Sequence, residues 1–257
     1  MKQEDIIINS IVFKKQLDKG FTQVQLIKLV KDLGFSRFEI RQELLQDPDR
    51  ELPALKAEAD FYDINLYYSA NEDLIKGGKV NPYLNKGLNK GLKEASQLGA
   101  PFIKLNVGQT RNLSKEELEP LKEILKSQTI GIKVENNQDP KAATVENCQY
   151  FMTLVKELQI PISFVFDTAN WAFINQDLYQ AVNSLACDTT YLHCKNFLQV
   201  AGKPHLSKSL FEGEIDLTDL LKSFSNCEYL ALEYPTELEV LKRDVQRLIS
   251  ISNSQNF

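Results

Sequence analysis

The chain has 257 residues, of which 43% are hydrophobic and 25% are charged, as is usual for a water-soluble globular protein. Its formal net charge is -5 and it carries no basic stripe, so nucleic acid is a poor partner. No apolar run approaches the roughly 20 residues that a membrane-spanning helix needs. Four cysteines without a CxxC spacing, in a chain whose N-terminus is unlike a signal peptide, predict reduced thiols in the cytoplasm.

Short apolar segments of strand length alternate with longer segments of helical spacing along the whole chain. The first strand is predicted over residues 6–13 and the first helix over residues 22–31, where Thr22 and Gln25 form a capping box. The remaining predicted strands cover residues 36–41, 64–69, 102–107, 129–135, 162–167, 189–195 and 228–233. Helices are predicted between them over residues 49–60, 81–99, 114–126, 141–158, 173–185 and 217–224, and a last one over residues 236–251 precedes a tail at 252–257 that we expect to fray.

Eight strand–helix units in strict alternation imply parallel strands. Eight units in about 250 residues match a closed barrel better than an open sheet, and no GxGxxG follows the first strand to indicate a dinucleotide fold. No linker or low-complexity run divides the chain. The prediction is therefore an α/β protein with one (β/α)8 TIM barrel domain over residues 1–257, and its one long connection is a polar loop at residues 196–213.

Side chains that ligate metal ions stand at the ends of the last four predicted strands, as Glu135, Asp167, His193 and Glu233. In such barrels the active site lies at the C-terminal ends of the strands, so adjacent strands would bring three carboxylates and one imidazole to one rim. Unpaired carboxylates in a cavity repel each other, and a divalent cation removes that repulsion. Taken singly, each carboxylate could be only a helix cap or a salt-bridge partner. The set favours Mn²⁺, Co²⁺ or Mg²⁺, with Zn²⁺ as a further option.

The local sequence after Glu135 predicts a turn into the next helix. Two Asn residues and a Gln are followed by Asp139 as the predicted cap and Pro140 as the first helical residue. Glu135 is therefore expected at the lip of a loop.

The motifs around these residues resemble the xylose isomerase-like TIM barrels, the sugar isomerase/epimerase superfamily. They are Val-Glu-Asn-Asn-Gln at 134–138, Phe-Asp-Thr-Ala-Asn-Trp at 166–171, His-Cys-Lys at 193–195 and Glu-Tyr-Pro at 233–235. Together with Phe-Glu-Ile-Arg-Gln-Glu-Leu at 38–44, they are most similar to the 2-ketogluconate-utilisation epimerases. The resemblance implies a metal ion held by Glu135, Asp167, His193 and Glu233, and a homo-oligomer.

Three positions depart from the ketose 3-epimerases of this superfamily. Asn170 stands in place of a His, Gln199 in place of an Arg, and Lys141 in place of a Glu. Because those residues grip the sugar in that group, a free ketohexose is in doubt as the substrate. The endonuclease IV branch needs a trinuclear zinc site rich in histidine, and a chain with two histidines excludes it.

These features predict a metal-assisted proton transfer next to the carbonyl of an open-chain sugar, with Glu135 and Glu233 as base and acid. Epimerisation and isomerisation both remain open. Cationic, amide and aromatic side chains are the candidate substrate contacts, namely Lys195, Lys104, Arg41, Asn137, Asn170 and Trp171. The cations favour a sugar acid or a sugar phosphate over a neutral sugar.

Each of these interpretations has an alternative. Arg41 could pair with Glu39 or Glu43, and Lys104 with another carboxylate, as an internal salt-bridge layer. Trp171 could be a packing residue, and the two asparagines could be turn residues. For the whole protein, the alternatives are a metal-dependent lyase of the 3-dehydroshikimate dehydratase type and a catalytically inactive ligand-binding barrel.

Overall fold

The computed structural model describes residues 1–81 and 90–255, and in this part of the chain eight parallel strands close into a barrel. The strands are β1 Ile6–Asn9, β2 Arg37–Arg41, β3 Asn65–Lys76, β4 Phe102–Gly108, β5 Gly131–Glu135, β6 Ile162–Asp167, β7 Thr189–Cys194 and β8 Tyr229–Leu232. Each strand pairs in parallel with the next, and β8 pairs with β1. The predicted TIM barrel is confirmed.

A helix follows each strand on the outside of the barrel. These helices are α1 Gln23–Asp32, α2 Pro48–Tyr62, α3 Lys90–Leu98, α4 Lys115–Lys126, α5 Val145–Glu157, α6 Leu178–Leu185, α7 Leu217–Leu220 and α8 Leu238–Gln255, and two further short helices cover Lys14–Leu17 and Asn170–Phe173. The capping box at the start of α1 is confirmed, because Gln25 N donates to Thr22 Oγ1 and Thr22 N donates to Gln25 Oε1. Of the third predicted helix, at residues 81–99, residues 82–89 lie outside the described residues. At the other end of the chain α8 continues past residue 251 to Gln255.

No helix within the described ranges has the length and hydropathy needed to cross a lipid bilayer.

The helix after Glu135 begins later than the sequence predicts. Asp139 Oδ1 accepts a hydrogen bond from Lys141 N at 2.8 Å, but this closes only a turn. α5 begins at Val145, where Thr144 Oγ1 accepts from Asn147 N at 3.2 Å. Thr144 is therefore the helix cap, and Asp139 as the predicted cap was wrong.

The predicted loop at residues 196–213 contains an antiparallel hairpin of Phe197–Val200 and Lys203–Leu206. Its two-residue turn has positive φ at both positions, 50° at Ala201 and 74° at Gly202. Such a turn matches the twist of the two strands, so it fixes a tight hairpin. This segment is therefore ordered structure and not an irregular loop.

Asn196 ties the rest of this connection to the end of β7. Its Nδ2 donates to Leu210 O and Ile215 O, and its Oδ1 accepts from Ile215 N at 3.0 Å. A Cβ at Gly213 would lie 2.3 Å from Asn196 Oδ1. Only glycine fits beside this amide.

The apolar residues form two separate cores because neighbouring residues of a strand face opposite sides of the barrel wall. The larger core lies between the strands and the helices. The smaller one fills the inside of the barrel and consists of Ile7, Tyr67, Phe102, Val165, Tyr191 and Ala231. We call this inner core the plug. It closes the barrel beneath the C-terminal rim and makes the rim a floored cavity.

Lys133 lies below the plug and has no carboxylate among its hydrogen-bond partners. Its ammonium is 5.0 Å from the ring centroid of Phe102 and 5.2 Å from that of Tyr229. It donates to Ser163 Oγ at 2.9 Å and to Thr190 Oγ1. Ring faces and hydroxyls stabilise the charge less than water or a carboxylate would.

Burial lowers the pKa of Lys133 from 10.5 to about 8, against an opposing attraction by Glu228. The unfolded chain therefore holds this proton more tightly than the folded protein does. Between pH 8 and 10.5 the free energy of unfolding should rise relative to that of Lys133→Met, by about 3 kcal/mol at most. Urea denaturation of both proteins across this range measures the difference. Parallel pH curves for the two proteins would contradict the expected shift.

Candidate metal centre

Four side chains converge above the plug at the C-terminal rim. Glu135, Asp167, His193 and Glu233 are buried, and one donor atom of each lies within 4.8 Å of the donor atoms of the other three. They come from the ends of β5, β6 and β7 and from the residue after β8. A set of three carboxylates and one imidazole could hold a divalent cation.

Backbone pairing between neighbouring strands positions three of these residues. Asp167 is paired with His193 across β6 and β7. Glu233 N donates to Cys194 O at 3.1 Å, which extends the ladder one residue past β8. The matched ends of parallel strands thus set the positions of three of the four side chains.

Asp167 is fixed by the backbone that follows it. Its Oδ1 accepts from Ala169 N at 3.0 Å and from Asn170 N at 2.9 Å. Asn136 holds the same residue from the side, because Asp167 N donates to Asn136 Oδ1 at 2.9 Å and Asn136 Nδ2 donates to Asp167 O at 3.1 Å. These bonds direct the other oxygen, Oδ2, into the site.

Three atoms of the site are buried without a hydrogen bond of acceptable geometry: Glu135 Oε1, Asp167 Oδ2 and His193 Nδ1. His193 Nδ1 is nevertheless 2.7 Å from Glu135 Oε1 and 3.4 Å from Glu233 Oε2. Buried polar atoms left in this way are costly. Their convergence fits the donors of one cation.

Each candidate cationic substrate contact also forms an ion pair with a carboxylate. Lys104 Nζ lies 2.5 Å from Glu135 Oε2, and Arg41 contacts Glu233 Oε1. Lys195 Nζ lies 3.1 Å from Glu233 Oε2. The internal salt-bridge layer therefore exists around the candidate ligands.

Two further pairs complete this layer. Lys195 Nζ lies 2.6 Å from Asp167 Oδ2, and Arg41 also pairs with Glu43 at 2.6 Å. The pairing of Arg41 with Glu43 is one of the two that the sequence suggested, whereas Glu39 has other partners.

The charges shift the pKa values of the site in opposite directions. Burial raises the pKa of Glu135, but Lys104 and His193 outweigh burial and the net pKa is low. Burial raises the pKa of Asp167 more than Lys195 lowers it, so its net pKa is high. Burial lowers the pKa of His193, but the surrounding carboxylates raise it well above the usual value.

A cavity of about 690 Å³ opens at this rim, and two of the four candidate ligands, Glu135 and Glu233, line it. Arg41, Lys104 and Lys195 line it, and so do five amides, Asn71, Asn106, Asn137, Gln138 and Asn170. Amide side chains both donate and accept hydrogen bonds, as sugar hydroxyls do. The cavity wall therefore suits a polyhydroxylated molecule.

Trp171 does not line this cavity. Its side chain is fully buried, and its ring lies 5.5 Å from that of Phe166 in the outer core. The structure thus supports its alternative role in packing. The sequence could not tell the two roles apart because Trp171 follows the strand end, where the direction of a side chain depends on the turn.

Sequence reasoning missed two residues of this site. Asn136 is the fully buried amide that holds Asp167, and Glu39 is a fully buried carboxylate beside His193. The alternation of β2 does place Glu39 inside the barrel, which was the available signal. Its partner lies on β7 across the barrel, and the sequence does not show that contact.

No protein-family profile matches the chain, and no curated protein matches its sequence. Solved xylose isomerase domain proteins of Salmonella typhimurium and Alicyclobacillus acidocaldarius share the fold, with TM-scores of 0.71 and 0.62 and identities of 14% and 11%. They cover 97% and 96% of this chain, which covers 98% and 97% of theirs.

Three further solved structures show how varied the proteins with this fold are. An L-ribulose 3-epimerase matches with a TM-score of 0.69 and 15% identity over 98% of this chain and 94% of its own. A probable 3-DHS dehydratase, AsbF, of Bacillus anthracis matches at 0.64 and 16% over 97% and 99%. An IolI protein with a bound zinc atom matches at 0.64 and 15% over 97% and 95%.

These likenesses establish the fold. The protein has the fold of the xylose isomerase-like TIM barrels, as its motifs predicted, with a candidate metal centre at the C-terminal rim. Closeness to the 2-ketogluconate-utilisation epimerases stays a prediction.

Replacing Asn136 with Ala should destabilise the protein, because it leaves the buried N–H and C=O of Asp167 without partners. We expect a loss of about 2–4 kcal/mol in the free energy of unfolding, measured by chemical denaturation. The matched control is Asn137→Ala, which removes one hydrogen bond to Asp139 N and should cost less than about 1 kcal/mol. Equal losses in the two variants would show that Asn136 has no special structural role.

Proposed function

We propose that this protein is a divalent-metal-dependent isomerase or epimerase of a sugar, sugar acid or sugar phosphate. Glu135, Asp167, His193 and Glu233 would hold the ion. When bound, the ion would polarise the substrate carbonyl and stabilise the negative charge that develops when the neighbouring carbon loses its proton.

The observation that carries this proposal is the set of three buried atoms without good hydrogen bonds, on three of the four proposed ligands. Asp167 Oδ2 faces Lys195 Nζ at 2.6 Å, as in an ion-pair cluster, whereas Glu135 Oε1 and His193 Nδ1 face each other. Here His193 Nδ1 faces two carboxylate oxygens, at 2.7 and 3.4 Å. Nitrogen and oxygen atoms whose lone pairs face one another need a proton or a metal cation between them.

Glu135 and Glu233 are the proposed proton carriers. They lie on β5 and after β8, and His193 Nδ1 contacts both of them. Lys104 keeps Glu135 ionised and therefore ready to take a proton from the carbon next to the carbonyl. Glu233 can return a proton to the substrate, and Lys195 Nζ, 3.1 Å away, can resupply it.

The local charge supports an anionic substrate. Four buried carboxylates, including Glu39, face the three cations Arg41, Lys104 and Lys195, which leaves one negative charge when His193 is neutral. A divalent ion would turn this into one positive charge. A carboxylate or phosphate on the substrate would then be attracted to the loaded site.

Two alternatives remain as predictions. A lyase on the same scaffold could use Glu135 for proton abstraction and then eliminate water. A ligand-binding barrel would need neither metal nor proton transfer. A protein with this fold can carry any of these activities, so the reaction must be tested directly.

Metal binding is the first test. Wild-type protein stripped of metal should bind one divalent ion per chain in calorimetric titrations with Mn²⁺, Co²⁺, Mg²⁺ and Zn²⁺. It should also gain about 3 kcal/mol of stability when the free ion is at one hundred times its dissociation constant.

Asp167→Asn should weaken binding at least about tenfold, since it removes a charged ligand oxygen. The matched control His205→Asn changes the other histidine, which is exposed on the hairpin, and should bind as wild type does. Failure of the wild type to bind any of the four ions would favour the ligand-binding barrel.

Glu135→Gln tests the proton transfer. Wild-type protein is incubated in deuterated water with a panel of sugar acids and sugar phosphates. The product should contain deuterium and should otherwise have the same mass as the substrate. The variant should lose this exchange by at least about 100-fold, because an amide cannot take the proton. Metal retention in the variant is the control. A product lighter by one water would identify a lyase, and unchanged exchange in the variant would remove Glu135 as the base.

A further inference from the structure

We propose that Glu39 is a positioning residue that fixes the tautomer of His193 and so directs Nδ1 to the metal ion. This inference rests on the proposed metal centre. Glu39 lies on β2, on the opposite side of the barrel from His193 on β7, and is not itself one of the converging ligands.

Glu39 and its partners are all sealed from solvent. Its side chain and those of Asn9, Tyr191 and His193 are fully buried. Glu39 Oε1 accepts from Asn9 Nδ2 at 2.5 Å, and Oε2 accepts from the Tyr191 hydroxyl. Its third contact is His193 Nε2, which lies 3.2 Å from Oε2.

The chemistry of this contact determines which imidazole nitrogen carries the proton. A carboxylate only accepts hydrogen bonds, so His193 must donate to Glu39 from Nε2. In the neutral imidazole that a metal ion requires, the other nitrogen, Nδ1, then presents its lone pair to the site, where Glu135 Oε1 lies 2.7 Å away. A metal-bound imidazole needs this division of roles between its two nitrogens.

Glu39 is itself held in one orientation, so it always presents the same oxygen to His193. The amide of Asn9 fixes one oxygen, and the Tyr191 hydroxyl fixes the other on the side of His193. The rings of Tyr191 and His193 also pack at 89° with centroids 4.7 Å apart. The imidazole therefore cannot flip without losing its contacts with Glu39 on β2 and with Glu135 on β5.

A purely structural role would predict a different result from substitution. If Glu39 only anchored Asn9 and Tyr191, its replacement would lower stability and leave the metal affinity of folded protein unchanged. Glu39→Gln separates the two roles, because glutamine keeps the size and one acceptor oxygen. Its NH₂ group can face His193 Nε2 and force the imidazole proton onto Nδ1.

The experiment is zinc titration of wild type, Glu39→Gln and Glu39→Asp, with thermal unfolding to establish that each is folded. Glu39→Gln should lose about 10- to 100-fold in zinc affinity, and Glu39→Asp should lose less because it keeps the carboxylate. The control is His205→Asn. It changes the other histidine, which is exposed on the hairpin, so its zinc affinity should stay close to that of wild type.

Nitrogen-15 NMR of the imidazoles reads the tautomer directly. The chain has two histidines, so His205→Asn assigns both resonances. Zinc-loaded wild type should show the His193 proton on Nε2, and this readout does not depend on whether the Glu39 variants fold.

The outcomes separate the two proposals. Wild type that binds none of Mn²⁺, Co²⁺, Mg²⁺ and Zn²⁺ overturns the metal centre and this inference together. Zinc-loaded wild type with its proton on Nδ1, or a folded Glu39→Gln with wild-type affinity, overturns the role of Glu39 and leaves the metal centre standing.

Discussion

Burial of four carboxylates at one end of a barrel is the constraint on which the rest of this structure depends. An ionised carboxylate without a partner is too costly to keep away from water. Lys104 pairs with Glu135, and Arg41 on β2 pairs with Glu233. Lys195 lies between Asp167 and Glu233. When His193 is neutral, three cations for four carboxylates leave one negative charge unmatched. The remaining negative charge and the converging donor atoms make this rim a place where one small cation would be stabilised strongly.

The positions of the candidate ligands follow from the sequence because they depend on local regularities. Strand period and the alternation of strands with helices place Glu135, Asp167 and His193 at strand ends, and parallel closure brings strand ends together. The hairpin was not predictable in the same way. Its turn requires a positive φ at both Ala201 and Gly202, and because alanine rarely adopts a positive φ, only Gly202 gave a turn signal.

The missed features depend on contacts between distant parts of the chain. Glu39 is 154 positions from His193, and nothing in the local pattern of β2 shows which strand faces it across the barrel. The role of Asn136 could not be predicted for the same reason, since its side chain binds the backbone of Asp167 on the next strand. The predicted start of α5 was wrong for another reason. Asp139 and Thr144 are both residue types that cap helices, and the path of the chain away from the rim determines which of them does so.

The plug also limits how molecules enter and leave. Six side chains fill the barrel below the rim, and Phe102 and Tyr191 pack edge to face at 5.5 Å within it. For the described residues, a molecule in the cavity has no passage through the barrel axis. Substrate and product would therefore exchange through the same mouth, one at a time. Accumulated product would then compete with fresh substrate for entry, and a reversible reaction in this pocket would slow as it neared equilibrium.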